Sequence, residues 1–252
     1  MTLAFQPWLV VPVYDHEHAI GTTVEHLLPH GLPVLLVDDG SGSSCAAALR
    51  ELAQRHAGRV ALLRLEQNGG KGAAVIAGMR HAAKRGATHV LQIDADGQHD
   101  TADVPRFLAE AAAHPHALVN GRPLYDESVP TGRLVGRYAT HVWVWINTLS
   151  LEIVDSMCGF RVYPLAATLA LLDREYVGRR MDFDIEIIVR LHWAGVAVRN
   201  LPTRVTYPLD GVSHFRLWRD NARISAMHTR LFFGMLWRLP RLLLRHVHRS
   251  RR

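Results

Sequence analysis

Cysteine is nearly absent from the chain: Cys45 and Cys158 are the only two in 252 residues, too few for a disulfide framework. Lysine is as scarce, with Lys71 and Lys84 alone among 29 basic residues. The chain also lacks an uninterrupted apolar run of the roughly 18–20 residues that a membrane-spanning helix needs. The best stretch, 231–244, is broken by Arg238, Pro240 and Arg241. Low-complexity segments are missing too, and 19 Gly with 12 Pro fit an ordinary globular composition, which excludes a fibrous or wholly disordered chain. No cleavable leader is legible in the opening MTLAFQPWLV, which runs straight into a strand-like segment. These absences predict a protein of a reducing, cytoplasmic compartment that meets a membrane only at its surface.

Acidic charge is missing from one end. From Phe215 to Arg252 there are ten arginines and a single acid, Asp220, so this tail carries +9 of a chain whose net charge is +6, and the body is mildly acidic. Within the tail, Arg216, Arg219, Arg223 and Arg230 fall on one arc of a helix, beside Leu217, Ile224, Leu231, Phe232 and Met235. Two readings follow. The helix packs on the body by its apolar side, or it lies on an anionic membrane surface. A third, nucleic-acid binding, explains the tail but not the acids of the body.

The body repeats one grammar: an apolar β-rich run, a polar loop, then a helix-patterned stretch. Strands are predicted at 8–14, 33–37, 60–65, 89–93 and 117–120, and helices at 19–28, 44–56, 72–84 and 103–113. Continuous rather than alternating apolarity implies strands buried on both faces, hence an α/β, Rossmann-like, mainly parallel sheet flanked by helices. Beyond Pro123 the regularity fades into a loop carrying Asp126 and Glu127, then an aromatic-rich helix at 138–149. A domain spanning 1–212 and a basic amphipathic helical tail at 213–252 are the expected divisions.

In such a sheet, ligands gather at the carboxyl ends of strands. Here those ends are acidic: Asp15 after the first strand, Asp38 and Asp39 after the second, Asp94 and Asp96 after the fourth. Each Asp alone could be a turn or cap residue. Their recurrence at equivalent places points to a shared site. The Asp94-Ala95-Asp96 pair suits a hard divalent cation such as Mg²⁺ or Mn²⁺. Asn68-Gly69-Gly70-Lys71-Gly72 offers helix N-terminal amides and a cation, which suit a phosphate group, without the spacing of a Walker A loop. Gly40 and Gly42 begin a dinucleotide fingerprint that fails at Cys45.

Val37-Asp38-Asp39-Gly40-Ser41, the 68–72 loop, Asp94-Ala95-Asp96-Gly97-Gln98 and Cys158-Gly159-Phe160-Arg161 stand in the order and approximate spacing of family 2 glycosyltransferases of the GT-A fold. Over about residues 7–210 the chain resembles their polyprenyl-phosphate (dolichol-phosphate) mannose or glucose synthase branch. The resemblance implies an inverting, divalent-metal-dependent hexosyl transfer from a nucleotide-diphosphate sugar to a membrane-presented lipid or lipid-phosphate acceptor, performed peripherally on the inner face of the cell membrane. It implies that Pro12, Tyr14, Asp15, Asp38 and Asp39 bind the base and ribose, and that Lys71 helps on the nucleotide side. Asp94 and Asp96 would hold Mg²⁺ or Mn²⁺ on the donor diphosphate. Arg161 would handle phosphate near the acceptor, and Asp184 falls where hydroxyl-using members carry their catalytic base.

Two places depart from that branch. Phe183-Asp184-Ile185-Glu186 stands where a Phe-Gln-x-Glu type sequence is usual, which leaves phosphate and hydroxyl acceptors both open; Asp182, Asp184 and Glu186 could also simply complement a helix N-terminus. Ser213-His214-Phe215-Arg216 replaces a Gly-x-Ser-Lys-like stretch, with His214 either a phosphate contact, a metal ligand or structural. The alternatives are a glycosyltransferase with a soluble hydroxyl acceptor, a nucleotidyltransferase, and a non-enzymatic nucleotide- or nucleic-acid-binding protein. The second would open with a Gly-rich, Arg-containing loop, which Pro12-Val13-Tyr14-Asp15-His16 is not. The third leaves the clustered aspartates unexplained, so no nucleic-acid partner is expected.

Overall fold

The computed structural model describes residues 4–125, 131–206 and 217–249. Its strands and helices alternate through β1 (Pro7–Val13), α1 (Glu17–Leu27), β2 (Val34–Asp38), α2 (Ser43–Arg55), β3 (Val60–Arg64), α3 (Lys71–Lys84), β4 (His89–Gln92), α4 (Val104–Ala113) and β5 (Leu118–Tyr125). There follow α5 (Thr131–Thr148), β6 (Arg161–Pro164), α6 (Leu165–Leu172), α7 (Phe183–Ala194), β7 (Val198–Val205) and α8 (Leu217–Arg249). The seven strands form one sheet in the order β3-β2-β1-β4-β6-β5-β7. Six run in one direction; β6 alone is antiparallel to its neighbours β4 and β5.

Both faces of the sheet are covered, which is why its strands read as unbroken apolar runs. Alternation along β1 sends Val10 to one side, with α3, α6, α7 and α8, and Leu9, Val11 and Val13 to the other, with α1, α2 and α4. Register then sets the site. Val13, Asp38 and Arg64 lie level across β1, β2 and β3 at one edge. β4 stops opposite Val10, and the Ile93 N–H still donates to the Val10 carbonyl, so the chain carrying Asp94 leaves the sheet beside the end of β1. Strand order reverses between β1 and β4, the place where open α/β sheets hold ligands.

β6, α6 and β7 had no counterpart in the sequence pattern, and of α7 only its acidic N-terminus at Asp182, Asp184 and Glu186 did. β6 is four residues long and holds a buried Arg161. α7 is buried nearly all round, including Asp184 and Glu186, so it shows no apolar stripe for a helical period to reveal.

α8 packs on the body: Met227, Leu231, Met235 and Leu242 are buried against the layer built by α5 and α7. Of the basic arc expected of this helix Arg230 turns inward, and Arg238 and Arg245, which lie outside that arc, are also engaged by the body. Arg230 donates to Glu186 (2.9 Å), Arg238 to Glu175 (3.0 Å), and Arg245 to the carbonyls of His192 and Trp193 (3.2 and 2.7 Å) at the C-terminus of α7. Arg230 is drawn in by Glu186. Its carboxylate has no exposure and is satisfied by Arg190, Arg230 and the Gly178 N–H, as a buried charge requires.

His228 sits where α8 meets α5, its ring centroid 6.0 Å from that of Trp143 and its Nδ1 3.3 Å from Asn147 Nδ2. Burial pushes its pKa down from 6.5 to about 4. Between those values the unfolded chain binds a proton that the folded chain refuses, so stability falls as pH drops through this window, by up to about 3 kcal/mol. Chemical denaturation from pH 7.5 to 4 should show this slope, and His228→Gln should remove its share of it; an unchanged slope in the variant contradicts the assignment.

Candidate active site

Two knots of side chains close the carboxyl edge of the sheet. In the first, Asp15 takes a left-handed backbone (φ 50), unusual for a residue with a Cβ. It is held by Gly42 N–H donating to its Oδ1 (2.8 Å) and by its own N–H donating to Ser41 Oγ (3.1 Å). Asp38, with no exposure, accepts from the Ser41 N–H (2.8 Å) and pairs with Arg64. Asp39 accepts from Gly69 N–H (2.8 Å), Gly70 N–H (2.7 Å) and Asn68 Nδ2 (3.0 Å); burial pushes its carboxyl up, with the two backbone donors opposing. Asp39 thereby hangs the 68–70 loop on β2.

That loop aims α3. Gly70 has φ +98, and a Cβ there would stand 2.4 Å from Arg180 Cγ and 2.6 Å from the Arg179 carbonyl. Only glycine fits this backbone without strain. The Ala73 N–H donates to the same Arg179 carbonyl (2.9 Å) and Arg180 Nη1 donates to Asn68 Oδ1 (2.8 Å), locking the loop to the segment before α7.

The second knot is centred on Lys71. Its Nζ is 2.7 Å from Asp94 Oδ1 and 2.7 Å from Asp184 Oδ2. Burial opposes the ammonium charge, but Asp184 and Asp94 outweigh it and raise the Lys71 pKa well above the ordinary value. For Asp94 burial likewise opposes the charge, and Lys71 with His99 holds the carboxyl well below the carboxylate range. Asp96 goes the other way: burial and the neighbouring Asp94 charge raise its pKa, and the Gln98 N–H (3.1 Å) only partly compensates.

Asp184 is fixed on three sides. Gln92 Nε2 donates to its Oδ1 (3.1 Å), Lys71 takes Oδ2, and Arg161 Nη1 donates to its carbonyl (2.5 Å). Gln92 in turn accepts from the Tyr163 hydroxyl (3.2 Å), and Arg161 Nε donates to Asn120 Oδ1 (2.7 Å). Arg161, for which the resemblance implies a phosphate contact, has no exposed surface here and lies beneath Asp184.

The structure thus joins Lys71, Asp94, Asp184 and Arg161 in one network, with Asp96 adjacent. Asp15, Asp38 and Asp39 stand at the same edge and hold its loops. Pro12 is buried in β1 opposite Val37, and Tyr14 is half-buried at its end. Cys158 is buried, as expected of a packing residue. His214 lies outside the described residues. Sequence reasoning missed Gln92, Asn120 and the Arg137–Asp155 pair, in which Arg137 Nε and Nη2 each reach a carboxylate oxygen at 2.7 Å. Asp155 also accepts from the N–H groups of Met157 and Cys158 (2.8 Å each), and an Asp three residues before Cys158 is a turn signal that could have flagged it.

Among the described residues no group of three or more His, Cys, Asp or Glu side chains is placed to hold a metal ion by itself. Asp94 and Asp96 offer two hard carboxylates; burial first and the Asp94 charge second disfavour the charged form of Asp96, and a cation would offset both. The donor set fits Mg²⁺ or Mn²⁺ completed by phosphate and water oxygens.

Residues 8–178 match the glycosyl transferase family 2 profile, and the chain belongs to that family. It is a glycosyltransferase. The polyprenol monophosphomannose synthase of Mycolicibacterium smegmatis is 28% identical over 92% of this chain and 88% of its own length. The UDP-N-acetylglucosamine–dolichyl-phosphate N-acetylglucosaminyltransferase of Methanococcus voltae is 24% identical over 79% and 85%. Among solved structures, glucosyl-3-phosphoglycerate synthase from Mycobacterium tuberculosis, in complex with Mn²⁺, UDP and glucosyl-3-phosphoglycerate, superposes with a TM-score of 0.60 over 92% of this chain and 79% of its own, at 18% identity. The structural likeness establishes the GT-A fold, and the sequence relatives match the polyprenyl-phosphate branch.

A Cβ on Gly159 would stand 2.2 Å from Asp94 Oδ2. Gly159→Ala should therefore displace the Asp94 carboxylate from Lys71 and lower stability by about 1–3 kcal/mol, the usual range for a broken buried contact. Chemical denaturation of the variant checks this, and wild-type stability would contradict the placement of Asp94.

Proposed function

We propose that this enzyme is an inverting, divalent-metal-dependent transferase that moves a sugar from a nucleotide-diphosphate donor to a polyprenyl phosphate presented at an anionic membrane surface, working peripherally on the cytoplasmic face. The dolichyl-phosphate and polyprenol activities of the two relatives support this reading, as do the Mn²⁺ and UDP bound by glucosyl-3-phosphoglycerate synthase. In it, Asp94 and Asp96 hold Mg²⁺ or Mn²⁺, which when bound neutralises the donor diphosphate as it leaves. Tyr14, Asp15, Asp38 and Asp39 shape the pocket for base and ribose, with Pro12 setting the end of β1. Lys71 keeps its charge throughout and lies between the donor-side Asp94 and the acceptor-side Asp184. Arg161 acts as a positioning residue through the backbone of Asp184.

The observation that carries the choice of acceptor is the occupancy of Asp184. Gln92 and Lys71 take one oxygen each, so Asp184 is poorly placed to remove a proton. A hydroxyl acceptor needs such a base; a phosphate monoester is already an anion at neutral pH. Asp184 then positions Lys71 rather than acting as a base.

Turnover with a nucleotide sugar and Mn²⁺ should glycosylate a polyprenyl phosphate and leave the corresponding polyprenol untouched. Transfer to the polyprenol at a comparable rate would overturn the phosphate reading in favour of a hydroxyl acceptor. Asp96→Ala should fold normally and lose the Mn²⁺-dependent thermal stabilisation that UDP-, GDP- or dTDP-sugars give the wild type.

A further inference from the structure

α8 has two apolar sides. The inner one is buried on α5 and α7. On the opposite side Trp218, Phe233, Leu236, Trp237 and Leu243 are exposed, both tryptophans at 86%. At about 100° per residue these five share an arc of about 120° centred away from the buried one, over about 38 Å of helix. Along one flank of that arc, within about 40°, run Arg219, Arg223, Arg230 and Arg241.

The strip continues onto α5. Phe233 stacks edge-on with Phe232 (centroids 5.9 Å), and Phe232 with Trp143 (6.4 Å), which is itself half-exposed. Beyond Trp143 the rim of α5 opens a shallow groove of about 410 Å³ lined by Val142, Trp145, Ile146, Leu149, Ser150 and Leu151. Exposed apolar side chains gathered on one arc of a helix mark a binding face rather than a random scatter.

We propose that this face docks on an anionic lipid leaflet, with the outward strip of α8 and the rim of α5 at the acyl boundary and Arg219 and Arg241 at the lipid phosphates. The inference rests on the membrane-presented acceptor proposed above and names the surface that would meet it. Charge selects the occupant. Asp220, the sole acid of α8, is buried and paired with Arg223, so the outward half of the helix carries no acid. A second copy of the same face would set arginines against arginines, whereas an anionic leaflet complements the row. The lipid-facing side is the one away from Arg238 and Arg245, which are committed to Glu175 and the end of α7; Arg230, at the flank, turns its guanidinium inward to Glu186 and leaves Arg219 and Arg241 to the lipid. No helix among the described residues is long and apolar enough to cross a membrane, so contact through this face would lie along the surface.

The test is co-sedimentation of the full chain with vesicles of phosphatidylcholine alone or mixed with phosphatidylglycerol. The wild type should bind the mixed vesicles, and the double variant Phe233→Ser, Trp237→Ser should lose at least about tenfold in partition. Mn²⁺-dependent UDP or GDP binding and the circular dichroism spectrum of that variant should be unchanged. Three results overturn the proposal: no binding of the wild type to mixed vesicles, equal partition of the variant, or a wild-type dimer that the variant splits into monomers. Vesicle binding through this face without any nucleotide binding would uphold the docking surface while refuting the transferase reading of the site.

Discussion

One ammonium group holds the catalytic edge together. Lys71 stands between Asp94, delivered by the end of β4, and Asp184, delivered by the start of α7, at 2.7 Å from each. A buried carboxylate and a half-buried one placed on either side of one ammonium lose hydration; the shared cation is what makes their charged forms tolerable. Much of the surrounding construction serves to put that cation there. Asp39 hangs the 68–70 loop on β2, Gly70 takes a backbone that only glycine adopts readily, and Arg180 ties the loop to the segment leading into α7. On the other side Gln92 and Arg161 fix Asp184 from the sheet.

The same helix that carries Asp184 anchors the tail. Glu186 lies two residues further along α7 and draws in Arg230 of α8, while Glu175 draws in both Arg190 and Arg238. These pairs spend arginines that would otherwise read as a uniform basic surface. What is left outward is an apolar strip with an arginine margin, a different surface from an evenly charged helix. Placement of the site and placement of that strip therefore depend on one buried helix.

The first half of the fold was legible because its physics is local. β1 to β4 are short apolar runs separated by helices of regular period, and the acids at their ends mark the sheet edge without any knowledge of tertiary contacts. The second half was not. α7 is buried on every side and carries charged residues paired across space, so its period is hidden; β6 is too short to announce itself. Within the site, Asp94, Asp96, Lys71 and Asp184 could be picked out by motif and order. Their mutual contact could not, since Lys71 and Asp184 are 113 positions apart in sequence. Asp38 and Asp39 were visible as a pair at a strand end, but their engagement by Arg64 and by the Gly69 and Gly70 amides depends on a loop from the next unit. Arg161 was visible in Cys-Gly-Phe-Arg; its complete burial follows from β6 lying inside the sheet between β4 and β5.

The central claim is that the Lys71 charge is what permits Asp94 and the buried Asp184 to stand charged at one place. The direct measurement is the unfolding free energy of Lys71→Met against wild type from pH 7.5 to 4.5. With the cation gone, the folded state should hold a proton on this pair more tightly than the unfolded state does. The variant's deficit should then be largest at pH 7.5 and shrink as acid supplies the missing positive charge. A deficit that stays constant over this range, or no deficit at all, would contradict it.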